Sequence, residues 1–438
     1  MTSSADHGAL VDAVGRTQEG LEELLRTLVA FRTESQAREA THFPDEARRC
    51  IDHVVGFLEP LGFEIEQWDV GPSMTFPAHP VIVARRRGTG GGRSVAFNAH
   101  VDVVPVGDRG AWSHDPFAGE VVDGRLYGRG ATDMKGGLAA AMWAVKTALG
   151  AGFVPRGDIV FHVVSDEEVV GNGTREIVER SHPCDVTLSL EPTELRLCAA
   201  EGGLVHFRIE VEGSEAHAST RYLSIHAGGK GGGGVNAVEK VVKLIVALQE
   251  LERTWANAKA HPILPAGFNT LSPAIIVGGP GGGADGRLNL FSNAGTAPNY
   301  CSVEYNLWFY PDETFETVKQ EVEDVVAAVA AVDPWLREHP PRFTWKLGNI
   351  YFPPLDVPLD HPAVQILSSC LETVGIDATP QGFGAATDLA WYGERKLPGI
   401  ICGPGALAQC HVANEYLETE QLRLAAQVYA QFVASWCG

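Results

Sequence analysis

Two histidines and five carboxylates sit where the chain could use them as a set: His100 and Asp102 in NAHVDVVP, Asp133 in GRGATDMKGG, Glu167 and Glu168 in SDEEVVGNGT, Glu191 in LEPT, and His411 in CHVANEY. His100 and Asp102 close the run SVAFNAHVD two residues apart, and the period of a strand puts both on one face at its C-terminal end. That spacing suits an imidazole that binds a metal through one nitrogen while a carboxylate holds the other. Asp133 lies among glycines at a loop-to-helix junction, Glu167 and Glu168 follow the run IVFHVV, Glu191 ends TLSLE, and His411 follows the Gly/Pro loop after LPGIICG. Taken singly, each has a structural explanation: a satisfied strand-end histidine, a helix N-cap aspartate, a solvated acidic turn, one more acid in an acidic chain, a surface loop histidine. Taken jointly, they fall at the C-terminal ends of strands in an α/β layout, where such sheets build sites. A mixed nitrogen and oxygen set suits Zn2+, Co2+ or Mn2+ rather than Ca2+ or Mg2+, and five ligands for two metals leave one to bridge.

The elements that must position these residues are legible as runs. Residues 20–61 have helical periodicity and lead to a strand at 63–68; PVIVARRR and SVAFNAHVDVV are β-branched runs bounded by glycine clusters, and 134–149 is a small-residue helix. DIVFHVV, TREIVERSH and DVTLSLEPT then read strand, helix, strand. The alternation predicts an α/β fold, a mixed and largely parallel sheet sandwiched by helices. After Glu201 the texture changes: LVHFRIEVEG and PNYCSVEYNLWFY alternate as half-exposed strands, while NAVEKVVKLIVALQELERTW and ETFETVKQEVEDVVAAVA are amphipathic helices. These make a small α+β domain. The Pro-rich YFPPLDVPLDHP is a return linker, after which helix and strand alternate to the C-terminus. The expected division is a first catalytic part over 1–203, an inserted domain over 204–348 and a second catalytic part over 349–438. The glycine runs GGKGGGG and GGPGGG lack the GxxxxGK[ST] order and read as flexible loops.

Composition narrows the partners. With 34 basic against 55 acidic side chains the formal charge is −21 over 438 residues, which leaves no basic stripe for nucleic acid or an anionic membrane surface. The N-terminal stretch has neither the basic nor the continuous apolar region of a secretory signal. No window reaches the roughly 20 apolar residues that span a bilayer. Eight scattered cysteines, without a CxxC pair, read as reduced thiols of a cytoplasmic protein. A small molecule is the expected ligand.

The motifs NAHVDVVP, GRGATDMKGG, SDEEVVGNGT, LEPT, GSEAHAS and GPG…CHVANEY, in this order and with their flanking glycines, closely resemble the M20 metallopeptidase and deacylase family, which includes acetylornithine deacetylase, succinyl-diaminopimelate desuccinylase and carboxypeptidase G. The resemblance spans nearly the whole chain. It implies a zinc-peptidase-like catalytic domain, an inserted lid and dimerisation domain, and two Zn2+, with Co2+ or Mn2+ as alternatives. By the same resemblance His100, Asp133 and Glu191 hold one metal, while Asp133, Glu168 and His411 hold the other, with Asp133 bridging. Asp102 then orients His100, and Glu167, beside a ligand but not itself one, is the general base. The resemblance further implies a cis Asp133–Met134 peptide. It also implies that His217 of GSEAHAS donates to the oxyanion in a partner's active site, so that the active unit is a homodimer built through the inserted domain.

The chain also departs from that pattern. Many relatives carry Asp-x-Arg on a strand of the inserted domain, the Arg binding a substrate carboxylate; here Asn306 and Trp308 stand at those places, and an indole cannot replace the bidentate grip of a guanidinium. Gly295 stands where the family has an asparagine, with Asn293 two residues earlier, and the stretch after His217 is longer than usual. Two readings stay open. In one, the leaving portion of the substrate lacks an α-carboxylate, or is aromatic and stacks on Trp308 or Tyr310. In the other, Arg221, Lys230 or Arg287 supplies the charge from a new position. Thr387, Asp388 and Gly405 match family positions around the site, and Glu415 is placed to support the His411 loop. His114, His162, His182, His206, His226, His261, His339 and His361 have no companion ligands at fitting spacing. The expected activity is metal-dependent hydrolysis of the amide of an N-acyl amino acid or similar small amide, in the manner of acetylornithine deacetylase. The alternatives are a dipeptidase or carboxypeptidase, an amidohydrolase of an aromatic or uncharged amide, and, in a different class, a metal-binding relative without catalysis, which would have no use for Glu167.

Overall fold

The computed structural model describes residues 7–35, 43–72, 76–169, 171–180, 183–225, 232–280 and 294–438. The chain divides into two compact units, 1–201 with 355–438, and 202–354. Residues 228–231 of the first glycine run and 281–283 of the second lie outside the described residues.

In the first unit the apolar runs become a nine-stranded sheet. Its centre is four parallel neighbours, Ile159–Val164, Val95–His100, Val186–Pro192 and Gly399–Gly403. The first three are buried along their whole length, as continuous Val/Ile/Leu runs covered on both faces should be. Antiparallel strands flank this centre, with Glu64–Val70 and His79–Arg86 on one side and Cys198–Glu201 and Leu355–Asp356 on the other. The mixed, largely parallel sheet flanked by helices is therefore present, and the parallel order aims the C-terminal ends of all four central strands the same way.

Helix Gly136–Gly150 packs between this sheet and helix Thr419–Trp436. Its sequence, GGLAAAMWAVKTALG, is small on nearly every side because it has neighbours on nearly every side. At Gly137 the approach is closest: a Cβ there would lie 2.3 Å from the carbonyl oxygen of Leu190. The glycine lets the segment that follows Asp133 press onto the strand that carries Glu191.

The second unit is a five-stranded antiparallel sheet in the order Thr270–Gly279, Tyr300–Phe309, Gly203–Glu212, Arg342–Trp345, with Tyr351–Phe352 also paired to Gly203–Glu212. Val205, Phe207, Ile209, Val303, Tyr305 and Leu307 pack into a core with Val241, Leu244 and Leu248 of helix Ala237–Ala258 and Val318 and Val322 of helix Phe315–Val332. Alternation puts Leu204, His206, Arg208, Glu304, Asn306 and Trp308 on the other sheet face, where they are half-buried. The edge strand Thr270–Gly279 escapes the periodicity reading because Pro273 and Gly278 interrupt its apolar residues, and its pairing with Tyr300–Phe309 is irregular between Pro273 and Ile275.

Among the described residues no helix is long and apolar enough to cross a membrane. All eight cysteines are free thiols, seven of them buried and Cys410 half-buried.

Candidate metal centre and its supports

The four parallel strands deliver the candidate ligands to one place. His100 is the last residue of its strand and Glu191 the penultimate residue of the next. Glu167 and Glu168 sit in the turn after Ile159–Val164, and His411 in the loop after Gly399–Gly403. Asp133 arrives from the bend Ala131–Lys135 that precedes the small-residue helix, and its peptide bond to Met134 is cis.

Asp133 lies between the two histidines. Its Oδ1 is 3.1 Å from His100 Nε2, and its Oδ2 is 3.4 Å from His411 Nε2. Glu191 Oε1 lies 3.6 Å from His100 Nε2, and Glu168 Oε2 lies 3.1 Å from His411 Nε2. Each imidazole thus faces two carboxylates, and Asp133 is common to both sets. Glu167 Oε2 stands farther off, 4.0 Å from His100 Nε2. Two groups of three donor atoms drawn from His100 with Asp133 and Glu168, or with Glu167 and Glu191, lie within 4.8 Å of one another.

Electrostatics tests whether these residues fit cations. Burial pushes the Glu167, Glu168 and Glu191 carboxyls up, and nearby carboxylates push the same way, Glu191 acting on Glu167 and Asp133 on the other two. At His411 the contacts with Asp133 and Glu168 raise the imidazole to about 10. At Asp133 burial favours the acid, but the two histidines outweigh it and hold the carboxyl low. Converging carboxylates that resist ionisation together, interleaved with imidazole nitrogens, are a donor set suited to divalent cations such as zinc.

The supports come from distant segments. His100 Nδ1 is 2.9 Å from the main-chain carbonyl of Asp102 and 3.5 Å from its carboxylate, so the carbonyl makes the shorter contact to the ring. The Asp102 carboxylate instead accepts the backbone N–H groups of Glu167 and Glu168, at 3.3 and 3.1 Å. It therefore fixes the turn that carries both glutamates. Glu415 does the same for the Asp133 bend: its Oε1 accepts from the N–H groups of Gly130, Thr132 and Asp133, and Arg129 Nη1 donates to its Oε2 at 2.6 Å. Both charged side chains are buried, at 2% and 0% exposure. Arg129 escaped the sequence reading; the signal was an arginine inside a glycine-rich apolar motif, where a charge needs a partner.

Around the glutamate turn, Asp166 accepts from Gly173 N–H and contacts His79, and Asp388 accepts from the Thr174 hydroxyl. Thr387 donates to the buried Glu201. Burial, with help from Asp166, raises Asp388 to about 8. Gly405, at φ +95, leaves room for Thr132, whose Cγ2 a Cβ there would approach to 2.7 Å, and its N–H donates to Gln421. That N–H is therefore occupied.

The remaining candidates lie in the second unit. His217 is exposed, with Nδ1 2.7 Å from Ser219 Oγ. Arg221 is ion-paired with Glu239. Trp308 is half-buried on the free sheet face. Tyr310 does not share that face: the strand ends at Phe309, and Tyr310 turns inward at 1% exposure with its hydroxyl donating to Pro265, so stacking of a substrate on it is excluded. Lys230, Arg287 and Asn293 lie outside the described residues.

Residues 96–435 match the family described as Peptidase family M20/M25/M40. N-formyl-4-amino-5-aminomethyl-2-methylpyrimidine deformylase of Bacillus subtilis is 33% identical over 98% of this chain and 97% of its own length. Among solved structures, aminopeptidase PepT of Bacillus cereus superposes with a TM-score of 0.71 at 15% identity, covering 96% of this chain and 99% of that one. A dinuclear metal binding peptidase from the M20 family of Bacillus subtilis superposes at 0.62 and 16% identity, covering 97% and 99%. The chain belongs to peptidase family M20/M25/M40.

Proposed function

We propose that the chain is a two-metal amide hydrolase that removes a small acyl group, formyl first among them, from an amine. The observation that carries this is the straddling position of Asp133, one oxygen toward His100 and the other toward His411. His100, Asp133 and Glu191 would hold one cation and Asp133, Glu168 and His411 the other, zinc by preference with cobalt or manganese acceptable to the same donors. Bound there, the pair would lower the pKa of a water and polarise the scissile carbonyl.

The chain's own groups do the rest. Glu167 takes the proton of the attacking water, and the amide carbon becomes tetrahedral. Glu167 then returns the proton to the departing nitrogen as the C–N bond breaks, so acid and amine leave in balance. Asp102 holds Glu167 in place through its backbone N–H. His217, whose Nε2 has no partner among the described residues, donates to the oxyanion from a second copy of the chain. A dimer through the inserted unit is supported by the exposed Val242 and Val246 on its helix and Ile275 and Ile276 on its edge strand. Eight free thiols favour a cytoplasmic enzyme.

Formyl removal rests on the deformylase relative, 97% of whose length the match covers, and on Trp308 standing in place of a carboxylate-binding arginine. The test is amine release by the zinc-loaded protein from N-formyl, N-acetyl and N-succinyl amides and dipeptides, each with and without an α-carboxylate. The expected result is fastest release from N-formyl amines that lack the carboxylate. Preference for N-acyl amino acids would restore the acetylornithine-deacetylase-like reading, and preference for dipeptides would make the chain a peptidase.

A further inference from the structure

We infer that Asn414 is the positioning residue of His411: its side-chain amide clasps the segment 111–113 and so fixes the loop that presents this imidazole to one of the two proposed cations. The inference rests on the proposed two-metal site and names what holds the most exposed of its candidate ligands.

His411 needs a support that packing does not give it. Its side chain is 54% exposed, against 1% for His100, 11% for Asp133, 6% for Glu168 and 9% for Glu191. It also stands in a loop rather than at the end of a buried strand. Both His411 and Asn414 take left-handed backbone conformations, at φ +65 and +57. Asparagine tolerates that region and histidine adopts it at a cost. A half-exposed loop with two such residues keeps one shape only where other contacts determine it.

The amide of Asn414 supplies those contacts. Its Oδ1 accepts the Ser113 N–H at 2.6 Å, and its Nδ2 donates to the Ala111 carbonyl at 3.1 Å. Two main-chain partners of opposite kind admit one orientation of the amide. The two bonds join segments some 300 residues apart in the chain, and they imitate one rung of strand pairing. A carboxylate in the same place could make only the first of them.

The segment that Asn414 grips is itself built to be held. Val106 N–H donates to Glu34 Oε1 at 3.0 Å, Trp112 Nε1 donates back to the Val106 carbonyl at 3.0 Å, and Asp108 accepts from Gly110 N–H at 2.8 Å. The Arg129 guanidinium lies over the Trp112 ring at 5.3 Å. Adjacent residues therefore hold different parts of the centre. Glu415 grips the bend of Asp133, which faces both histidines, whereas Asn414 grips the segment beside His411 alone. Loss of the first bears on both proposed cations, and loss of the second on one.

The experiment is zinc titration of the metal-free full chain against a competing chelator, with peptide-level hydrogen exchange of the same protein, for the wild type and its Asn414→Gly and Asn414→Ala variants. Glycine keeps the left-handed backbone without strain and removes only the amide, whereas alanine removes the amide and adds strain. We expect both variants to weaken one zinc-binding step by roughly 10–100-fold and to leave the other nearly unchanged. In the metal-free variants, exchange over 106–115 and over 406–415 should rise together. Unchanged zinc binding in Asn414→Gly, equal weakening of both steps, or unchanged exchange over 106–115 overturns the clasp. A loss confined to Asn414→Ala also overturns it and assigns the effect to the backbone. A single zinc-binding step in the wild type, weakened in Asn414→Gly with exchange raised in both segments, overturns the two-metal reading and leaves the clasp standing.

Discussion

Glu167→Gln abolishes turnover and leaves the metal in place. The substitution keeps the shape of the side chain and removes the basic oxygen. General base catalysis is worth about 10²–10⁴-fold, so a loss of about a thousandfold in kcat is expected. The geometry sets the second half of the prediction. Glu167 Oε2 is 4.0 Å from His100 Nε2, against 3.1 Å for Asp133 and 3.6 Å for Glu191, which makes it the farthest of these three from the imidazole. Metal content by plasma emission and kcat on the best substrate check both parts. Lost metal with lost activity would make Glu167 a ligand, and full activity would refute its role as the general base.

Glu415→Ala unfolds the support of the centre while leaving every candidate ligand side chain in place. It removes a carboxylate that accepts three backbone N–H groups of the Asp133 bend and leaves Arg129 buried without its partner. Breaking a buried pair in this way costs about 3–5 kcal/mol. Because the same bend presents Asp133 to both histidines, metal affinity should fall about 10–100-fold as well. Denaturant unfolding of the metal-free protein and zinc titration with a competing chelator read the two effects separately. Glu415→Gln keeps one oxygen and should lie between the wild type and the alanine variant on both scales. Unchanged stability together with unchanged affinity refutes the role of the clamp.

The candidate ligands and the parallel strands could be read from the sequence because both are local: a β-branched run that ends in a histidine or glutamate announces a strand and what stands at its end. The supports could not, because they join residues far apart in the chain. Asp102 fits a partner of His100 by its spacing, and its carboxylate, 3.5 Å from His100 Nδ1, also accepts the N–H groups of Glu167 and Glu168, some 65 residues later. Glu415 reads as a brace for His411, and its carboxylate holds a bend 282 to 285 residues earlier. Tyr310 failed as a stacking candidate for a simpler reason. Period-two alternation holds only within a strand, and the chain leaves the sheet after Phe309. The edge strand Thr270–Gly279 was hidden by its proline and glycines, residues that an edge tolerates and a central strand does not.

Sharing of Asp133 between two cations that activate water for amide hydrolysis, as proposed, fixes the metal stoichiometry of the active enzyme. The most direct test is to strip the protein with a chelator, add back zinc in fractions of an equivalent, and follow amine release from an N-formyl amine beside bound metal. No turnover is expected without metal, and full activity at two equivalents per chain. Asp133→Asn should weaken both binding steps together. Full activity in the stripped protein, or a plateau at one equivalent with Asp133→Asn affecting a single step, would contradict it.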